Sequence, residues 1–221
     1  MNPDFIIILA AEAKDAAGQL PEARNGVYLG SETRLKAASI LLTQHPDTQF
    51  IVVGGYNEAN KGIAATSKKV DDILEVLRKE SPRAKLQAIY SLPCTHHNFV
   101  AVFNAWKINK ISPRKVGILS NEYHLPRATR FASLDAQSLL PNNKILFIPF
   151  SAENIIHKTN SKIDSAEYAR RLQYEKNGIQ KIKLGNYVDY CLTRDFELLK
   201  DIIYSDPNNL LTDKEKLALN I

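Results

Sequence analysis

The sequence is poor in cysteine, with two in 221 residues, and it has one tryptophan, one methionine and no apolar run of membrane-spanning length. Cys94 and Cys191 lie far apart and form no CxxC pair, so neither a disulfide framework nor a paired-thiol metal motif is encoded, and a reducing compartment fits. The early apolar run Phe5 to Ala11 is too short to cross a bilayer and has no basic leader before it, so a cytoplasmic protein without a membrane anchor is expected. The nine glycines include no GxGxxG and no GxxxxGK[ST], which removes an ordinary dinucleotide fingerprint and a P-loop. Charge of one sign is scarce as well. The 29 Lys and Arg exceed the 24 Asp and Glu by five and are interspersed with them, which gives little support to a nucleic-acid partner.

What is present is a core-building pattern, with 44% hydrophobic residues. Phe5–Ala10, Phe50–Val53, Leu86–Tyr90 and Lys115–Leu119 are short, nearly continuous apolar runs, the signature of strands buried on both faces. A fifth, Lys144–Ile148, is predicted to stop at Pro149. Between them, Glu32–Thr43, Ser67–Lys79, Thr95–Ile108 and a Pro126-started segment through Ala132 carry helical spacing. This alternation predicts a three-layer α/β domain, with a mainly parallel sheet of about five strands over residues 1–150. Residues 151–221 read as a helical extension packed on the same domain, with helices around Ala166–Lys176 and Tyr187–Tyr204. From about Ser205 the chain is expected to be loose or to form a small terminal helix.

Ligands in such sheets bind beyond the carboxyl ends of the strands, which selects four segments: Ala11-Glu12 with the loop to Ser31, Gly54-Gly55 with its loop to Thr66, Ser91 to Asn98, and Ser120 to Arg127. Gly54-Gly55 permits close backbone approach to an anion, or simply a strand-ending turn. Thr95-His96-His97-Asn98 reads as a helix start with Thr95 as the cap. Adjacent histidines point about 100° apart on a helix and no third ligand stands at usable spacing, so no metal is expected. Ser120-Asn-Glu-Tyr-His-Leu-Pro-Arg127 is the densest polar segment. It offers His124 as the candidate acid or base and Arg127 as a cation at a helix start, facing either an anion or a neighbouring carboxylate.

Taken in order, Arg34 with Arg-Leu-Lys-Ala-Ala-Ser-Ile-Leu-Leu, then Ile-Val-Val-Gly-Gly, Thr-His-His-Asn and Ser-Asn-Glu-Tyr-His-Leu-Pro-Arg-Ala resemble the YdcF/SanA/ElyC-like family, a domain of unknown function, over roughly residues 5–150. The resemblance implies a Rossmann-like bacterial domain with Arg34, Gly54, Gly55, Thr95, Asn98 and Arg127 as ligand-binding residues and His124 as the catalytic candidate. It also implies S-adenosylmethionine as a candidate ligand without implying methyl transfer. Glu12, Glu58, His97 and Asn121 are further candidates.

The chain departs from the family where Ala10-Ala11-Glu12 replaces a Gly-rich turn and Ala65-Thr66-Ser67 replaces an acidic helix start, with Glu58 as a substitute. Ile89 or Tyr90 stands where an acidic residue precedes Thr95, and His97 stands beside Asn98 in place of Glu. Three functions are therefore expected in order. The first is a cleft for a small anionic or nucleotide-like ligand, with transfer or hydrolysis at a phosphate-linked centre. The second is a noncatalytic sensor that has lost the acidic residues. The third is an interaction module using Arg170, Arg171, Lys176, Lys181 and Lys183.

Overall fold

A computed structural model describes residues 2–10, 27–28, 31–55, 64–92, 94–157 and 162–163, scattered positions between 169 and 201, and residues 203–221. The strands are β1 (Phe5–Leu9), β2 (Val27–Tyr28), β3 (Gln49–Gly55), β4 (Lys85–Ser91), β5 (Lys115–Ser120), β6 (Leu146–Ser151) and β7 (Lys162–Ile163). The helices are α1 (Ser31–Gln44), α2 (Ala64–Glu80), α3 (Thr95–Ile108), α4 (Leu125–Leu139), α5 (Ala152–His157), α6 (Pro207–Leu210) and α7 (Asp213–Ala218). Five strands form one all-parallel sheet in the order β4-β3-β1-β5-β6, the expected Rossmann-like arrangement. The short β2 and β7 pair separately and in parallel, a pairing the sequence pattern did not signal.

Both faces of the sheet are covered, and strand alternation sorts side chains between them. Ile7, Leu9, Ile51, Val53, Val116 and Ile118 join Phe99, Phe103, Trp106, Phe131 and Ala132 of α3 and α4. Ile6, Ile8, Phe50, Val52 and Leu119 face Ala38, Leu41, Val70, Leu74 and Ile156 of α1, α2 and α5. No helix of the described residues is long and apolar enough to cross a membrane.

Two local expectations need correction. Pro149 does not end the fifth strand; it lies inside β6, paired opposite Ile118. β6 is the sheet edge, where alternate N–H groups point away from any partner strand and a missing donor is tolerated. Gly54-Gly55 does not form a turn either, because both residues continue β3, opposite Tyr90 and Ser91. A Cβ at Gly54 would lie 2.7 Å from the Ala10 Cβ and 3.1 Å from Val70 Cγ2, so packing of β1 and α2 against β3 accounts for a glycine there.

The terminal segment is docked. Leu210 and Leu211 pack with Leu92 and Ile203, and the Asn104 amide of α3 donates to the Leu211 carbonyl at 3.0 Å. Thr212 caps α7 in a reciprocal capping box with Glu215. The helices expected around Ala166–Lys176 and Tyr187–Tyr204 fall largely outside the described residues, as do Arg170, Arg171, Lys181, Lys183 and Cys191.

Candidate functional site

The chain leaves β1 for β3 and β4 and later returns to β5 and β6, so the direction of winding reverses between β1 and β5. At such a switch point the outgoing connections diverge and leave a crevice at the carboxyl rim.

Arg34, in the first turn of α1, bridges the ends of the two strands that flank this point. Its Nη1 donates to the Leu9 carbonyl at the end of β1 (2.8 Å), and its Nε donates to Asn121 Oδ1 just beyond β5 (2.6 Å). Asn121 Nδ2 donates to Glu153 Oε1 at 2.8 Å, and Glu153 Oε2 accepts the Glu122 amide at 2.6 Å. All three side chains are buried, so one amide links a guanidinium to a carboxylate out of water. Beside Arg34, the buried Thr33 hydroxyl has no hydrogen-bond partner among the described residues.

His124 is the next link along the rim. Its Nδ1 is hydrogen-bonded to Ser120 Oγ at 2.8 Å and its Nε2 to Thr95 Oγ1 at 3.0 Å. Burial, reinforced by the positive charges of Arg127 and Arg34, holds the imidazole pKa well below its ordinary value. The neutral ring can therefore donate to one hydroxyl and accept from the other. Ser91 at the end of β4 donates to Asn98 Oδ1 at 2.6 Å, fixing the amide of α3 against the sheet. Arg127 lies in the first turn of α4 and meets a carboxylate of the chain itself. Its Nε and Nη2 donate to Glu175 Oε2 and Oε1 at 2.5 and 2.8 Å.

The rim thus gathers Arg34, Thr95, Asn98, Asn121, His124 and Arg127 from segments far apart in sequence. Gly54 and Gly55 reach the rim as strand residues. Glu12 and Glu58 lie outside the described residues. Thr95 is not the helix cap: Cys94 takes that position, with its Sγ accepting from the His97 amide, and the Thr95 hydroxyl is left for His124. Of the two residues at the family's acidic position, Ile89 is buried and Tyr90 is largely exposed, donating to Asp71 Oδ1 at 2.6 Å.

A second polar cluster lies on the helical side of α3. His96 Nδ1 is 2.9 Å from Asp135 Oδ1 of α4, and His96 Nε2 is 3.3 Å from Glu215 Oε1 of α7. His97 Nδ1 is 3.0 Å from Cys94 Sγ. His97 Nε2 lies 3.2 Å from the same Glu215 oxygen without the alignment of a hydrogen bond. Burial presses His96 toward its neutral form, but hydrogen bonds to Asp135 and Glu215 outweigh it and raise the pKa to about 10. Burial likewise opposes ionisation of Glu215, yet the two imidazoles hold its carboxyl well below the usual range. At Asp135 burial prevails and the pKa is raised. The third donor that the two histidines lacked in the sequence is supplied from 119 residues away.

Glu153, Glu175, Glu215 and Asp135 were not among the candidate site residues, and Ser91 and Ser120 were included only as the ends of selected segments. Only Glu215 had a local signal, the Thr-x-x-Glu spacing of a capping box, and that announces a helix start without naming the histidines behind it. Compared with known proteins, the chain matches no family model, no curated protein and no solved structure.

Proposed function

We propose that the β1–β5 rim binds a small anionic or nucleotide-like ligand, in keeping with the YdcF/SanA/ElyC-like resemblance of the motifs that line it. The supporting observation is electrostatic: besides burial, two guanidiniums, Arg34 and Arg127, both act on the His124 imidazole, so two anion-binding forks lie near one ring at the switch point, each offset by a carboxylate of the chain. Arginine favours phosphate and carboxylate groups because its donors form a planar fork. S-adenosylmethionine is a candidate through its carboxylate and nucleoside. In the catalytic form of this reading, His124 accepts a proton, the Thr95 hydroxyl at 3.0 Å is its partner, and the arginines stabilise charge developing at a phosphate-linked centre.

The Arg127–Glu175 pair favours a second reading, a noncatalytic sensor. A ligand anion must displace Glu175 to reach both Arg127 nitrogens, so binding is coupled to residues beyond the α/β layer.

Thermal-shift titration with S-adenosylmethionine, nucleotides and phosphorylated sugars tests both forms, because a ligand that binds only the folded chain raises its stability. The expected result is a shift in the native chain that is lost in Arg127→Ala. Full affinity in Arg127→Ala overturns the pocket. Product formation abolished by His124→Gln selects the enzyme, whereas binding without product selects the sensor.

A further inference from the structure

The geometry points to a buried transition-metal site, zinc by its donor set, held by His96 Nε2, His97 Nε2 and Glu215 Oε1 and joining α7 to α3. The first argument is spacing. Glu215 Oε1 lies 3.3 Å from His96 Nε2 and 3.2 Å from His97 Nε2. Tetrahedral zinc with bonds of about 2.0–2.1 Å sets its donors about 3.3 Å apart. Two edges of that tetrahedron are therefore in place, and the donor atoms of all three residues lie within 4.8 Å of one another.

The second argument is that each donor residue has its other polar atom engaged. His96 Nδ1 is bonded to Asp135 Oδ1, which keeps a proton on Nδ1 and turns Nε2 to the Glu215 oxygen, where an ion would take the place of the Nε2 proton. His97 Nδ1 is turned to Cys94 Sγ, with the same consequence for its Nε2. Glu215 Oε2 accepts from the Thr212 amide and hydroxyl, both at 2.8 Å, leaving Oε1 for the ion. A ligating histidine whose second nitrogen binds a carboxylate is the usual support of a protein zinc site.

The third argument is what is left over. His97 is fully buried, and its Nε2 has no hydrogen bond among the described residues. Asp135 Oδ2 is likewise buried and unbonded. Buried polar atoms are nearly always satisfied, so the bare His97 Nε2 beside the shared Glu215 oxygen points to a missing partner, whereas Asp135 Oδ2 lies outside the donor set. The three donor residues are all buried. The closed surroundings make the ion a structural tie for the terminal segment, separate from the Thr95–His124 rim.

The test is elemental analysis of the tag-free chain after dialysis against zinc, together with melting curves before and after a strong chelator. The expected result is one zinc per chain and a melting temperature that falls with chelator and recovers with zinc. Glu215→Gln, which keeps the capping-box geometry, loses the zinc while remaining folded, and Asp135→Asn weakens affinity roughly 10- to 100-fold. No retained zinc in the native chain with a chelator-insensitive melting temperature overturns the site, leaving protonated imidazoles as the partners of the two carboxylates. Undiminished zinc in a folded Glu215→Gln chain overturns the ligand assignment.

Discussion

The two buried polar clusters of this protein sit one residue apart on α3, at Thr95 and at His96, yet they are built on opposite terms. At the rim, the chain Arg34–Asn121–Glu153 and the chain Thr95–His124–Ser120 pair their polar atoms among themselves. Around His96 and His97, donors converge on one carboxylate oxygen and two buried atoms are left without bonds. A satisfied network is rigid, whereas buried polar atoms without bonds call for a partner. The rim chains are internally paired, and the histidine cluster is where the proposed ion would sit.

The contrast breaks most sharply at Asn121. Asn121→Leu removes one buried partner from the Arg34 guanidinium and one from the Glu153 carboxylate, which keep the Leu9 carbonyl and the Glu122 amide, and at roughly 1–3 kcal/mol for each lost partner urea unfolding is expected to lose about 3 kcal/mol. A loss confined to a few tenths would mean that the rim is wetter than its burial indicates.

The histidine cluster responds to supply instead. Zinc at a hundredfold excess over its Kd is expected to add about 2.7 kcal/mol to the native chain and nothing to Glu215→Gln, measured by denaturation with and without the ion. Equal stabilisation of both would place the metal elsewhere.

Protonation sharpens the rim side. The unfolded His124 takes up a proton near pH 6.5, while burial and the Arg127 and Arg34 charges keep the folded imidazole neutral well below that. The unfolded state then binds the extra proton, so His124 withdraws stability as the pH falls below 6.5, by up to about 1.4 kcal/mol per unit. The difference in stability between the native chain and His124→Gln, followed from pH 7 to pH 5, isolates this contribution, and a flat difference would contradict it. The groups facing His124 are Ser120, Thr95 and the two arginines.

The last comparison is at Glu175. Its pair with Arg127 is largely buried, so Glu175→Gln, which keeps a hydrogen-bond acceptor, is expected to cost roughly 1–3 kcal/mol while tightening the rim's hold on an anionic ligand. Calorimetry of the variant with the ligand found by thermal shift checks both signs, and unchanged or weaker binding would remove Glu175 as a competitor.

Much of the scaffold was legible because it depends on local periodicity. Continuous runs such as Phe5–Leu9 and Lys115–Ser120 declare strands covered on both faces, and Thr95–Ile108 was bounded correctly from its apolar spacing. Pro149 misled because proline excludes only a central strand, and which strand becomes the edge depends on sheet order. At the rim, Arg34, Thr95, Asn121, His124 and Arg127 were singled out from short motifs. Their counter-charges were not, since Glu153 and Glu175 follow the motif-bearing region and nothing in their neighbourhoods advertises a partner.

Local sequence was enough for the layer architecture, the five strands of the main sheet and the segments that reach the carboxyl rim, because apolar periodicity and chain direction act over a few residues at a time. Only the tertiary structure decided which charges meet. Arg34 reaches Asn121 across 87 residues and His96 reaches Glu215 across 119, and such contacts depend on how strands order and helices dock. Side-chain chemistry can be read one residue at a time, but the electrostatic environment that gives it a role is a property of the folded packing.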